Sequence, residues 1–270
     1  MKLTTKFAGI AAALLMVSAP TSATVTTWDY SVTSLFTFAT YTGAGSGAIP
    51  GGTEQLIWGT DIGNGQSSLT VGGSPAVGQV DTYNLGGVPP AALPFLGFST
   101  SLTHDNNPIQ GNSLTSAILT NTVVLNPFIP DNPALTPFDF VFSISFTETP
   151  NVSGTCAVAG SPTPCNDIFV LNSGLLNSSF DYDDGTGIST YFVNIFPTTG
   201  GVLSQLENSA CAAAGEENGC IGFSTPENQA TTLAFGFTIS TEPLQIPEPG
   251  MLALLGLGMM GLFVWRRRQD

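Results

Sequence analysis

The chain has 270 residues, 42% of them hydrophobic, with a mean hydropathy of +0.26, values that exclude a disordered polypeptide and allow a sizeable core. Nineteen acidic residues face five basic ones for a formal charge of -14, and the basic ones stand only near the ends: Lys2 and Lys6, then Arg266, Arg267 and Arg268. The seventeen carboxylates between residues 24 and 247 have no Lys or Arg among them, which excludes nucleic-acid binding, a phosphoryl-transfer clamp and a Schiff-base lysine in that stretch.

Residues 1–23, MKLTTKFAGIAAALLMVSAPTSA, carry two lysines, an apolar run from Phe7 to Val17 and a small-residue stretch ending at Ala23. This is the layout of a secretory signal peptide, and the run is too short at ~1.5 Å per residue to span ~30 Å of hydrocarbon as a permanent anchor. From residue 24 to 242 Thr, Val, Ile and Phe recur in short runs cut by Gly and Pro, which leaves few windows for a helix. In TWDYSVTSLFTFAT, Trp28, Tyr30, Val32, Phe36 and Phe38 occupy even positions, a period of two that predicts a strand with one buried face. Further strands are predicted at 54–58, 67–71, 97–103, 113–125, 138–148, 167–171, 191–196 and 231–240. Phe138, Phe140, Phe142, Ile144 and Phe146 give a second alternation, and Leu233, Phe235, Phe237 and Ile239 a third. Short helical turns are expected near 203–208 and 211–215, and surface loops at 43–52 and 84–94. The fold class is all-β, a β-sandwich or jelly-roll-like body in one domain.

His104, the one histidine, stands in SLTHDNNPI. A general base there needs an orienting acid, and Asp105, adjacent on a strand, would point to the opposite face. The preferred reading is a turn in which Asp105, Asn106 and Asn107 bond backbone amides. Cys156, Cys165, Cys211 and Cys220 form two C-x8-C segments, a secreted-protein disulfide framework with three connectivities open, of which local pairing is preferred because each segment holds turn residues. The acidic loop at 181–187, with Asp181, Asp183 and Asp184, is the calcium candidate, although its spacing departs from an EF-hand and an Asp184-Gly185 hairpin turn explains it as well. Glu54, Asp139, Glu148 and Glu207 are glycosidase candidates by residue type alone. Sugar stacking would rest on Trp58 and the tyrosines other than Tyr30.

Residues 243–270 close the chain. Gly250 to Trp265 is an uncharged, mostly apolar stretch about 24 Å long as a helix, followed by arginines that hold their end in the cytoplasm. Pro247-Glu248-Pro249, this apolar span and Arg266, Arg267 and Arg268 resemble the PEP-CTERM sorting signal of Gram-negative bacteria. The resemblance implies a transient membrane anchor and recognition by an exosortase, an inner-membrane cysteine transpeptidase, in bacteria that make extracellular polysaccharide. Thr103-His104-Asp105-Asn106 further resembles the name-giving motif of the THxN family of PEP-CTERM proteins. WDY at 28–30, WGT at 58–60, QSSL at 66–69, ETPN at 148–151 and the first C-x8-C followed by NDIF fit the same family, which brings sorting to the cell surface or matrix but no activity. The expectation is an exported, non-enzymatic matrix protein. A polysaccharide-binding module, with or without calcium, is the alternative, and a carboxylate glycosidase the third reading.

Overall fold

The computed structural model describes residues 24–84, 93–151, 156, 158, 161, 165–172, 177–183, 187–198 and 204–244. Residues 1–23, expected to be a signal peptide, and residues 245–270, which hold the expected sorting segment, lie outside them. Sixteen strands and one short helix are found among the described residues. In chain order they are β1 (Thr27–Tyr41), β2 (Gly47–Thr53), β3 (Gln55–Trp58), β4 (Thr60–Asp61), β5 (Ser67–Gly72), β6 (Ala76–Tyr83), β7 (Gly97–Asn106), β8 (Ile109–Gln110) and β9 (Leu114–Ile129). There follow β10 (Phe138–Thr147), β11 (Asp167–Leu171), β12 (Ser178–Asp183), β13 (Ile188–Pro197), β14 (Ser204–Gln205), α1 (Asn208–Ala213), β15 (Ile221–Thr225) and β16 (Gln229–Ser240).

The strands form a sandwich. One layer runs β14-β15-β11-β10-β9-β1-β6, with β2 on the far half of β1, and the other runs β12-β13-β16-β7-β5-β3. The layers meet where the ends of β6 and β16 pair in parallel, Thr82 opposite Ile239, while every other ladder is antiparallel. Trp28, Phe36, Ile144 and Phe146 from the first layer interleave with Tyr191, Leu233, Phe237 and Ile239 from the second. Trp28 meets Phe180, Tyr182 and Tyr191 edge-on at 5.7, 5.6 and 5.1 Å between ring centroids, the arrangement that the ring quadrupoles favour.

The β1 alternation holds as far as Phe36 and then shifts. An irregular register between Phe36 and Phe38 moves the buried face to Ala39 and leaves Phe38 half-buried, contrary to its expected place. The stretch at 43–52, expected as a loop, instead contains most of β2, an edge strand that tolerates Pro50. Gly52 there has φ +70°, and a Cβ on it would stand 2.8 Å from that of Leu35. Both disulfides have the preferred local pairing, Cys156 with Cys165 and Cys211 with Cys220.

Candidate functional site

His104 lies inside β7, so the expected turn is replaced by a strand. Period two carries His104 and Asn106 to the buried face, each fully inaccessible, while Asp105 stands on the other side with Oδ2 accepting from Ser68 Oγ at 3.3 Å. Thr103 is on that outer side too, its hydroxyl 2.9 Å from that of Thr232 on β16. Trp58, at the end of β3, stacks on the imidazole at 5.7 Å with 11° between planes, and Phe146 of β10 meets both rings edge-on at 5.0 and 4.9 Å. Burial in this apolar cage pushes His104 down to about 3, so the ring is neutral. Trp58 is itself only 3% exposed and gives no stacking platform for a sugar.

Opposite His104 three acids converge. Glu148 follows β10, Asp167 opens β11, and Glu227 sits in the turn between β15 and β16, where Asn228 takes φ +57°. One oxygen from each acid lies within 4.8 Å of the other two. The Thr149 amide and hydroxyl donate to Asp167 Oδ1 at 2.8 and 3.2 Å, while Oδ2 has no partner among the described residues and faces His104 Nε2 at 3.9 Å. Trp58 Nε1 donates to Glu148 Oε2 at 3.2 Å, and Oε1 has no hydrogen-bond partner among the described residues. Both Glu227 oxygens are likewise without one among the described residues, and the Asn106 side chain is close enough to act on Glu227. Burial and the neighbouring acids push Asp167 up to about 9 and Glu148 up to about 7. Burial also raises Glu227, with Asn106 opposing.

Neutral oxygens surround the acids. Asn106 donates through Nδ2 to the Thr225 carbonyl at 2.8 Å, which leaves Oδ1 without a partner. Thr225 faces Asp167 across the β11–β15 ladder, fully buried, its hydroxyl unpartnered. Asn151 lies against Glu148. The disulfides brace the segments that bear these groups. Cys156–Cys165 closes the connection between Glu148 and Asp167, and the Cys165 carbonyl accepts from Thr149 Oγ1 at 2.8 Å. Cys211–Cys220 ties α1 to the start of β15. The arrangement is a largely buried set of hard oxygen donors suited to a cation.

The other candidate residues lie elsewhere. Glu54, Asp139 and Glu207 are exposed and separate from the cluster. Asp181 accepts from Thr190 Oγ1 at 2.7 Å, and with Asp183 and Asp139 it lines an open groove of about 680 Å³ that also contains Phe138, Phe140 and Phe180. Asp184 lies outside the described residues, as do Pro247, Glu248, Pro249 and Arg266, Arg267 and Arg268. Sequence reasoning missed Asp167, Glu227 and Thr225 as site residues. The available signal was the placement of ETPN and NDIF on either side of one disulfide loop, together with the two-residue spacing of His104 and Asn106.

No curated protein matches the chain. The family model of the PEP-CTERM protein-sorting motif matches residues 245–268, which include Pro247-Glu248-Pro249, the apolar stretch and the three arginines. The chain is therefore an exported protein that carries a PEP-CTERM sorting signal, the segment that anchors it transiently in the membrane and through which an exosortase processes it.

Proposed function

We propose that the protein is a non-enzymatic component of the cell surface or extracellular matrix of a Gram-negative bacterium, of the THxN type, associated with exopolysaccharide. The observation that carries this reading is the sorting motif at 245–268, placed behind a disulfide-stapled all-β body. A body without Lys or Arg from residue 24 to 247 suits a hydrated matrix, and the groove lined by Phe138, Phe140 and Asp139 offers mixed apolar and polar surface to a polymer. A glycosidase needs two acids on a cleft that a sugar ring can enter. Asp167 is 1% exposed and Glu227 8%, which supports a structural use of the acids that converge.

The reading is tested by replacing Pro247 and Pro249 with alanine in the native host. The parent should reach the matrix fraction in processed form, and the variant should remain full-length in the inner membrane. Unchanged processing, or a parent found only in the membrane, would contradict it.

A further inference from the structure

Three carboxylates that share a buried space between two layers can ionise together only beside a counter-charge. The chain has no Lys or Arg between Lys6 and Arg266, so neither supplies one in the body, and His104 is enclosed by the rings of Trp58 and Phe146. Two of the acids are each fixed by one oxygen and free at the other. Thr149 holds Asp167 through Oδ1, and Trp58 holds Glu148 through Oε2. That division, one oxygen for positioning and one for a ligand, is how a metal-binding carboxylate is held by its surroundings.

A second observation is independent of the acids. Asn106 Oδ1 and Thr225 Oγ1 belong to fully buried residues and have no hydrogen-bond partner among the described residues. Asn106 lies beside Glu227, and Thr225 stands opposite Asp167. A buried polar atom without a partner is costly, and the same region holds both neutral oxygens and the unpaired carboxylate oxygens. We propose that Glu148, Asp167 and Glu227, with the side-chain oxygens of Asn106 and Thr225, bind one calcium ion between the layers of the sandwich.

The donor chemistry selects the ion. Calcium takes six to eight oxygens at about 2.3–2.6 Å, a number that three carboxylates reach when some bind through both oxygens and two neutral oxygens join them. Zinc and its neighbours prefer nitrogen and sulfur. Here the four cysteines are in disulfides, and the set of mutually close donors contains the three acids and not His104. An ion in this place joins β7, β10, β11 and the β15–β16 turn, and so cross-links both layers.

The test uses the full chain, exported through its own signal, purified in detergent and stripped with a chelator. Titration with calcium chloride should give one bound ion per chain. Calcium at about 100 times its dissociation constant should raise the Tm by about 5–10 °C. Asp167→Asn should fold in chelator with a Tm at or above the parent's, because asparagine keeps the shape of the side chain and removes an ionisable group from the buried space, and yet lose both the bound ion and the calcium-dependent rise. Should that variant fail to fold, Glu227→Gln serves the same purpose, since glutamine keeps the length of the side chain and removes its charge. The double variant Asp181→Asn, Asp183→Asn should bind as the parent does. A parent that binds no calcium, prefers zinc or manganese with calcium failing to compete, or loses its ion through Asp181 and Asp183 overturns the assignment.

Discussion

Asp167 places opposite demands on its two oxygens, one satisfied by Thr149 and the other facing His104 and the acids, and its proton reflects the conflict. Burial, with Glu148 adding to it, pushes the carboxyl up to about 9, whereas an unfolded aspartate titrates near ~3.9. In chelator, between pH about 7 and about 9, the folded chain keeps a proton that the unfolded chain has released. Stability must therefore fall as pH rises across that window and level off above it. The window is set above about 6.5 because His104, held down to about 3, acts in the other direction below its unfolded value and loses stability as pH falls. Thermal melts in chelator at stepped pH check this, and Asp167→Asn should flatten the slope above pH about 8, below which Glu148, raised to about 7, keeps part of it. A parent Tm that is flat or rising from pH 7 to 9 would contradict it. The sequence made His104 conspicuous and set Asp105 aside as its partner, but read the segment as a turn and not as a strand. Asp105 is adjacent in the chain but on the other face, whereas Asn106, two residues on, shares the buried one. Asp167 and Glu227 could not be read at all, because nothing local brings residues 148, 167 and 227 together; the sandwich does.

The elements that carry the site depend on close approach of backbone. Gly222 of β15 lies so near β11 that a Cβ there would collide with the Phe169 carbonyl oxygen and stand 2.9 Å from Leu206 Cδ1. Only a residue without a side chain lets the ladder bring Thr225 opposite Asp167. Gly222→Ala should therefore cost about 1–3 kcal/mol by overpacking, and lower the Tm by several degrees. Circular dichroism melts beside the parent measure this, and an unchanged Tm would mean that the two strands do not approach as described. This part of the fold was only half legible. β11 was readable from its apolar run, and β10 and β16 from sustained alternation. β15 was not, since IGFST is short and holds the glycine that usually argues against a strand. β6 and β12 were missed for related reasons: AVGQVDTY breaks its alternation with Gly78, and SSFDYD places only Phe180 and Tyr182 inward among polar residues. The disulfides were legible because each closes a local turn, and they brace the very segments that present Asp167 and Glu227.

Across the whole molecule, charge is the property that composition alone foretold. Seventeen carboxylates between residues 24 and 247 have no Lys or Arg among them, so the body lacks the Lys–carboxylate and Arg–carboxylate pairs that offset such repulsion elsewhere. Its electrostatics are therefore nearly all repulsive, and screening has only one direction in which to act. In a protein laced with ion pairs, added salt weakens attraction and repulsion together. Here it should only stabilise. In chelator at neutral pH, raising sodium chloride from ~0.01 M to ~0.15 M shortens the Debye length from about 30 Å to about 8 Å and should raise the Tm by a few degrees. The ceiling of this range keeps the effect one of screening rather than of salt exclusion from apolar surface. A Tm that falls with salt over this range would show attractive pairing within the body, and the cations for it would have to come from outside the stretch between Lys6 and Arg266.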